Sequence, residues 1–323
     1  STYYNSTNTA VSVTTPIASN DATLIGGTLQ IQAKVAANGT YVNIGNAAAI
    51  TDSGTQTVSL SASDVEGLTN FGNTVSLYFR AIITDSAGNA TTGTASATTL
   101  TVDQAPPTVS TFSMDDTSLI TGDTATVTLT FSEAVTGFNS DDDITEQSGT
   151  LGTMTSNNNI AWTGTFTPSA NTSDSTNTLS LAITYTDVAG NPGPTATTAN
   201  YVVDTTANTV DTFTMSDTAL KAGETSTVTI IFSEAVTGFA KTDITAPNGT
   251  LGDLQSQDNI TFTSVFTPTA DTTAASNVLT LSGNYTDTLG NAGPTGATTA
   301  SYAVDTDLPA MTTVTIASNN NTT

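Results

Sequence analysis

Cysteine and histidine are both absent from the 323 residues. Without them there are no disulfides, no zinc or haem ligation through Cys or His, no thiolate nucleophile and no imidazole-dependent triad. Positive charge is almost absent as well. Lys34, Arg80, Lys221 and Lys241 face 28 acids, giving a formal net charge of −24, yet only 10% of residues are charged, against roughly 25% in an ordinary globular chain. The imbalance therefore comes from missing bases rather than abundant acids. Between residues 103 and 204 no basic side chain occurs, so the carboxylates of that stretch have only water or metal ions as counter-charge. Such a field disfavours nucleic acid and anionic membrane surfaces as partners. No run of about 18 apolar residues is present, so no membrane-inserting segment is expected. Aromatics make up 6% of the chain, with a single Trp, too few for a row of sugar-stacking rings. The first residues, STYYNSTNTA, lack an initiating Met, a basic n-region and an apolar h-region, which reads as a mature chain or an excised fragment.

What is present is repetition. TFSMDDTSLITGDTATVTLTFSEAVTGF at 111–138 returns as TFTMSDTALKAGETSTVTIIFSEAVTGF at 212–239. The register then holds through GTLG at 149 and 249, FTP at 166 and 266, and VDT at 203 and 304. YTDVAGNPGPT at 185–195 becomes YTDTLGNAGPT at 285–295, and a shortened ITDSAGN stands at 83–89. A period the size of a whole domain predicts separate modules, each with its own core, rather than a solenoid.

Inside each module, apolar and polar residues alternate, the pattern of half-buried strands. Ala125, Val127, Leu129 and Phe131 share one face; Ile160, Trp162 and Phe166 another; Leu179, Leu181, Ile183 and Tyr185 a third; Ala199, Tyr201 and Val203 a fourth. About seven such strands per module predict an all-β chain of tandem immunoglobulin-like sandwiches arranged end to end. The expected units are 1–103, a variant sandwich; 104–204; 205–305, a repeat of the preceding unit; and 306–323, a first strand. In the variant unit Leu29, Ile31, Ala33 and Val35 form one inward face, and SASDVEGLTN reads as a short helical turn. The last residues, MTTVTIASNNNTT, echo VSVTTPIASNDAT near the start. A lone strand has no stability by itself, so the tail either begins a further domain or docks as an added strand on a neighbouring molecule.

The run FSEAVTGF, DIT, NGTLG, FTPTAD, YTDTLGNAGPT and VDT resembles the bacterial Ig-like repeats of large secreted adhesins and other cell-surface proteins. The first unit, with VSLSASDVEGL and ITDSAGNA, resembles a second variety of the same group. The resemblance implies an extracellular, cell-surface tandem array, often rigidified by calcium between domains and serving reach, adhesion or coat building. It names no ligand.

In such a sandwich the linker enters beside the loop after the second strand and the turn between the last two strands. Asp103, Glu133 and Asp187 would converge at one junction; Asp204, Glu234 and Asp287 at the next. Asn191 and Asn291 in the same turns would add amide oxygens. Carboxylates gathered without a base repel one another unless a cation sits among them, and calcium accepts such a mixed oxygen set in loose geometry. Asp116 and Asp217, in the loops after the first strand of each repeat, are weaker candidates. Asp85 in the shortened turn and Asp305 in the last linker extend the same pattern. Asp followed by Gly-Asn is equally the residue set of an ordinary tight turn.

The expected function is a non-catalytic, calcium-stiffened extender or coat segment, with neighbouring copies or further domains of the same protein as partners. A host, glycan or surface ligand would be engaged outside this chain. Two alternatives remain: a noncovalent filament assembled by strand exchange of the C-terminal tail, and a carbohydrate-binding accessory module.

Overall fold

The computed structural model describes residues 2–317. They form three hydrophobic cores in series, one per module and each enclosed by two β-layers. Residues 318–323 of the expected terminal strand lie outside the described range. Among the described residues no helix is long and apolar enough to cross a membrane.

In the second module one layer is the antiparallel sheet Val109–Met114, Ala125–Phe131, Ala161–Pro168 and Gly149–Leu151. Ala125, Val127, Leu129 and Phe131 are all buried while the threonines between them face outward or to the layer edge, as the two-residue period demands. The opposite layer is discontinuous. Ser118–Ile120 runs parallel to Tyr201–Asp204, which pairs antiparallel with Ser173–Asn177, and short two-residue ladders continue toward the far pole. The third module repeats this plan, except that the strand Ala196–Thr197 is reduced there to a single bridge between Thr280 and Thr298. Trp162 lies edge-on to Phe138, ring centroids 4.8 Å apart, packed on the core as its register with Phe262 predicts.

Two inward expectations fail in the discontinuous layer. Ile183 is 59% exposed, because the ladder stops at Leu181 and the chain steps out to bond Asp143 through Ala182 N–H, 2.8 Å. Ala199 is exposed and Thr198 is buried in its place; the Thr198 hydroxyl accepts the Leu179 N–H at 3.0 Å. Irregular backbone needs local polar partners, and those reset the phase.

The first module keeps the architecture with different edges. Its larger sheet runs Thr2–Tyr4, Leu100–Val102, Ser76–Thr84, Thr28–Val35 and Val42–Asn43. Its other layer holds only Ala10–Ile17 paired with Gly54–Ser61. Leu29, Ile31 and Ala33 are buried as expected, with Val35 half-buried. The helical turn is Ala62–Glu66, closed by a capping box between Ser61 and Asp64, which satisfies otherwise orphaned N–H groups.

Candidate metal centres at the module junctions

The repeated motif is built around a tyrosine and a turn. Tyr185 is buried and its hydroxyl donates to the Pro194 carbonyl at 2.8 Å. Gly193 lies flush on the ring: a Cβ there would meet Cε2 of Tyr185 at 2.0 Å. Tyr285 repeats the bond to Pro294 at 3.1 Å, and Gly293 the contact. This packing fixes the exit of the turn that carries Asp187 or Asp287.

Each aspartate then holds the asparagine four residues on. Oδ1 of Asp187 accepts the Asn191 backbone N–H and Oδ2 accepts its Nδ2, both at 2.8 Å. Asp287 does the same to Asn291 at 3.0 and 2.8 Å. Both aspartates are buried. Oriented this way, the asparagine amide reaches out of its own module. Nδ2 of Asn191 donates to the Asp103 carbonyl at 2.9 Å, and its Oδ1 accepts the Ser6 N–H at 2.8 Å. Nδ2 of Asn291 donates to the Asp204 carbonyl at 2.8 Å, and its Oδ1 accepts the Thr121 N–H at 3.0 Å. Ser6 and Thr121 both belong to the module before the junction. Gly190, at φ +94°, lets this turn approach so closely that a Cβ would stand 2.7 Å from Asn5 Nδ2, and Asn5 Nδ2 donates to the Ala189 carbonyl at 2.7 Å.

The acids gather at the same two places. One carboxylate oxygen from each of Asp103, Glu133 and Asp187 lies within 4.8 Å of the other two, and Asp204, Glu234 and Asp287 form the second such group. The linker supplies the first acid, the loop after the second long strand the glutamate, and the tyrosine-anchored turn the buried aspartate. No base compensates them: the one ion pair among the described residues is Lys241 to Asp253, 2.7 Å. Glu133 is pushed above the usual carboxylate range by burial, then by Asp187 and Asp103; Glu234 by burial, then by Asp204 and Asp287. Neither glutamate has a hydrogen bond opposing that shift.

The donors fit a hard cation. All are oxygens, and their spread does not exceed the roughly 4.6–5.2 Å separating two oxygens on opposite sides of one calcium ion.

The remaining expected site residues have other partners. Asn191 and Asn291 stand at the junctions themselves, each Oδ1 accepting one backbone N–H and each Nδ2 donating to the linker carbonyl and to the aspartate of its own turn. Asp116 accepts the Ser118 N–H and Asp217 the Ala219 N–H, both at 2.9 Å; they shape strand entries and stand outside both acid groups. Asp85 repeats the aspartate lock on Asn89 at 2.8 Å, and Asp305 ends the last strand, exposed, accepting the Thr273 hydroxyl; neither joins an acid group. Asp143 and Asp243, buried, cap the Asn139 and Ala240 N–H groups. Ser6 and Thr121 were invisible in the sequence, since a backbone N–H carries no residue signature. The glycine at each turn was the available hint of a close approach.

Residues 103–203 and 204–304 each match the family model of a bacterial Ig-like domain. The chain belongs to the bacterial Ig-like domain family. Each matched segment begins on a linker aspartate, so the bacterial Ig-like unit includes the acid through which it is entered. Among solved structures, the chain is similar to a marsupial T cell receptor at 10% identity, covering 90% of this chain and 95% of that chain with a TM-score of 0.38. It is also similar to the FN1-FN3 domains of chicken CNTN1 at 13% identity, covering 92% and 94%, with a TM-score of 0.22. Those two likenesses carry no argument at such scores. Comparison with curated proteins returned no match.

Proposed function

We propose that this chain is a non-catalytic, extracellular segment of a bacterial Ig-like array, an adhesin extender or coat element, whose junctions are stiffened by calcium. The observation that supports the reading is the pair of three-carboxylate groups at equivalent junctions, each drawing one acid from the linker and two from the module it enters. Asp103, Glu133 and Asp187 would hold one ion, and Asp204, Glu234 and Asp287 a second. Calcium supplies positive charge that no side chain provides there.

The chain's own residues do the mechanical work. The asparagine straps bind the turn of one module to the backbone of the one before. The carboxylates, mutually repelling when bare, oppose closure of the seam until a cation neutralises them. Bending at the linker would pull Asp103 or Asp204 away from the two acids fixed in the next module. Affinity in the range of extracellular modules, on the order of 10⁻⁴ to 10⁻³ M, would suffice in a calcium-rich medium.

Calorimetry with calcium, paired with small-angle scattering before and after chelation, tests the reading. The expected result is uptake at two sites and a longer, stiffer particle with the ion present. No uptake at about tenfold above that affinity range, or scattering unchanged by chelator, removes the mechanism.

A further inference from the structure

Among the described residues the buried side-chain polar atoms without a hydrogen-bond partner are Trp162 Nε1, Asn177 Oδ1, and both Oδ1 and Nδ2 of Asn208. The first two are single atoms, and Asn177 still donates twice through its Nδ2, to the carbonyls of Asp174 and Tyr201. Asn208 is different. Its side chain is 2% exposed and its whole amide is unpaired. Taking an amide out of water without any compensating bond is unfavourable, so a fold that does this holds a place for a partner.

Strand pairing puts that amide at the second seam. Val210 lies opposite Phe232. The next residues outward are joined twice, Ser233 N–H to the Thr209 carbonyl at 3.0 Å and Thr209 N–H to the Ser233 hydroxyl at 2.9 Å. One step further the same register sets Asn208 opposite Glu234. Side chains alternate across a strand, so Asn208 and Glu234 share the inward side with Val210 and Phe232. Burial follows that phase: Asn208 is buried, Thr209 exposed and Val210 half-buried, while Phe232 is buried, Ser233 exposed and Glu234 half-buried. Residues facing each other in this way have Cβ atoms about 4.5–5.5 Å apart. The linker acid Asp204 precedes Asn208 in the same short segment, and Asp204, Glu234 and Asp287 form one group. The unpaired amide is therefore turned toward that group.

The first seam has no such amide. Val109 lies opposite Phe131, and Thr108 is joined to Ser132 by the same two bonds. The residue that this register sets opposite Glu133 is Pro107, which is buried and whose side chain has neither donor nor acceptor.

We infer that Asn208 supplies its amide oxygen as a fourth side-chain ligand to the cation of the second seam, which therefore binds calcium more tightly than the first. The inference rests on the calcium reading above and adds an order to it. Three carboxylates provide only part of the six to eight oxygens that calcium takes, and a neutral amide oxygen adds a ligand without adding to the repulsion among the acids. As calcium rises, the joint between the two alike modules closes before the joint that precedes them.

Limited proteolysis of the full chain with a protease of broad specificity, sampled along a calcium titration and mapped by mass spectrometry, reads each linker separately. Protection at 204–209 should reach its half-point at roughly three- to tenfold less calcium than protection at 103–108, the scale on which ligand number tunes such sites. N208A, and N208P, which copies the first seam, should raise the half-point at 204–209 to that of 103–108. N208D keeps an oxygen in place and should not raise it. None of the three should move the half-point at 103–108. Equal half-points that N208A leaves alone would overturn the inference while the calcium reading stands; no protection by calcium at either linker would remove both. A shift at both linkers would mean that the substitution acts through the fold, and would overturn the inference. So would an N208A chain that is less stable in chelator with both half-points unchanged, the result expected if a buried water, not an ion, pairs with the amide.

Discussion

Asn191 and Asn291 show how much one side chain can carry at a seam. Each amide satisfies a buried carboxylate, a linker carbonyl and an N–H of the preceding module at once. Replacing either by Ala leaves a buried Asp oxygen and two backbone groups without partners, which costs about 1–3 kcal/mol; chemical denaturation of the chain should show that loss. N191D keeps the shape but removes both donors and adds charge beside Asp187. It should be the worse variant in chelator, with part of the loss restored by calcium. The glutamates set a pH dependence. Their folded values are raised, so the metal-free fold binds more protons than the unfolded chain just above the ordinary glutamate range. Stability in chelator should therefore rise as pH falls through that interval and decline as pH climbs out of it. Thermal melts from pH 7 to 4 check this, and saturating calcium should flatten or reverse the trend, because a bound ion favours the ionised carboxylates.

At the scale of elements, the long sheet and its partner layer behave differently. Ala125–Phe131 and Ser226–Phe232 sit between two long neighbours, so side-chain alternation alone fixes which residues face the core. Phe131 packs against Tyr185 at 5.0 Å and Phe138 at 5.8 Å between centroids, and Phe232 repeats the arrangement. F131A or F232A should each cost about 3–5 kcal/mol. Because the cores are separate, each loss should appear as one earlier unfolding step while the other two modules keep their transitions. Hydrogen exchange resolved by segment reads that directly. In the opposite layer Ile183 and Ala199 broke the expected phase, since Ala182 N–H and Thr198 answer to hydrogen bonds from outside their own strand. The Tyr–Asp–Gly–Asn–Gly–Pro turn was legible as a repeat but not as a strap, because the partners it grips are backbone atoms.

Over the whole molecule, the two junctions carry the same acid set but are separable. E133Q reduces the charge of the first acid group alone, and E234Q that of the second. Each should weaken calcium uptake at its own site and raise protease cleavage at its own linker, 103–108 or 204–209, without altering the other. Mapping cleavage sites by mass spectrometry in calcium and in chelator decides this. A change at both linkers from either substitution would show that the seams are not independent.

The amino-acid sequence by itself determined the all-β class, the modular repeat, the inward faces of the long strands and the acids that meet at each seam. Each of these follows from a pattern local to a strand or from copying a pattern already seen once, and the missing bases made the acids conspicuous. Only the tertiary structure decided that Asn191 and Asn291 grip the linker carbonyl and an N–H of the preceding module, and that Asp116 and Asp217 serve their own loops. Those outcomes depend on which backbone groups are left unpaired once the layers close. An unpaired N–H belongs to an arrangement in space, not to a residue type.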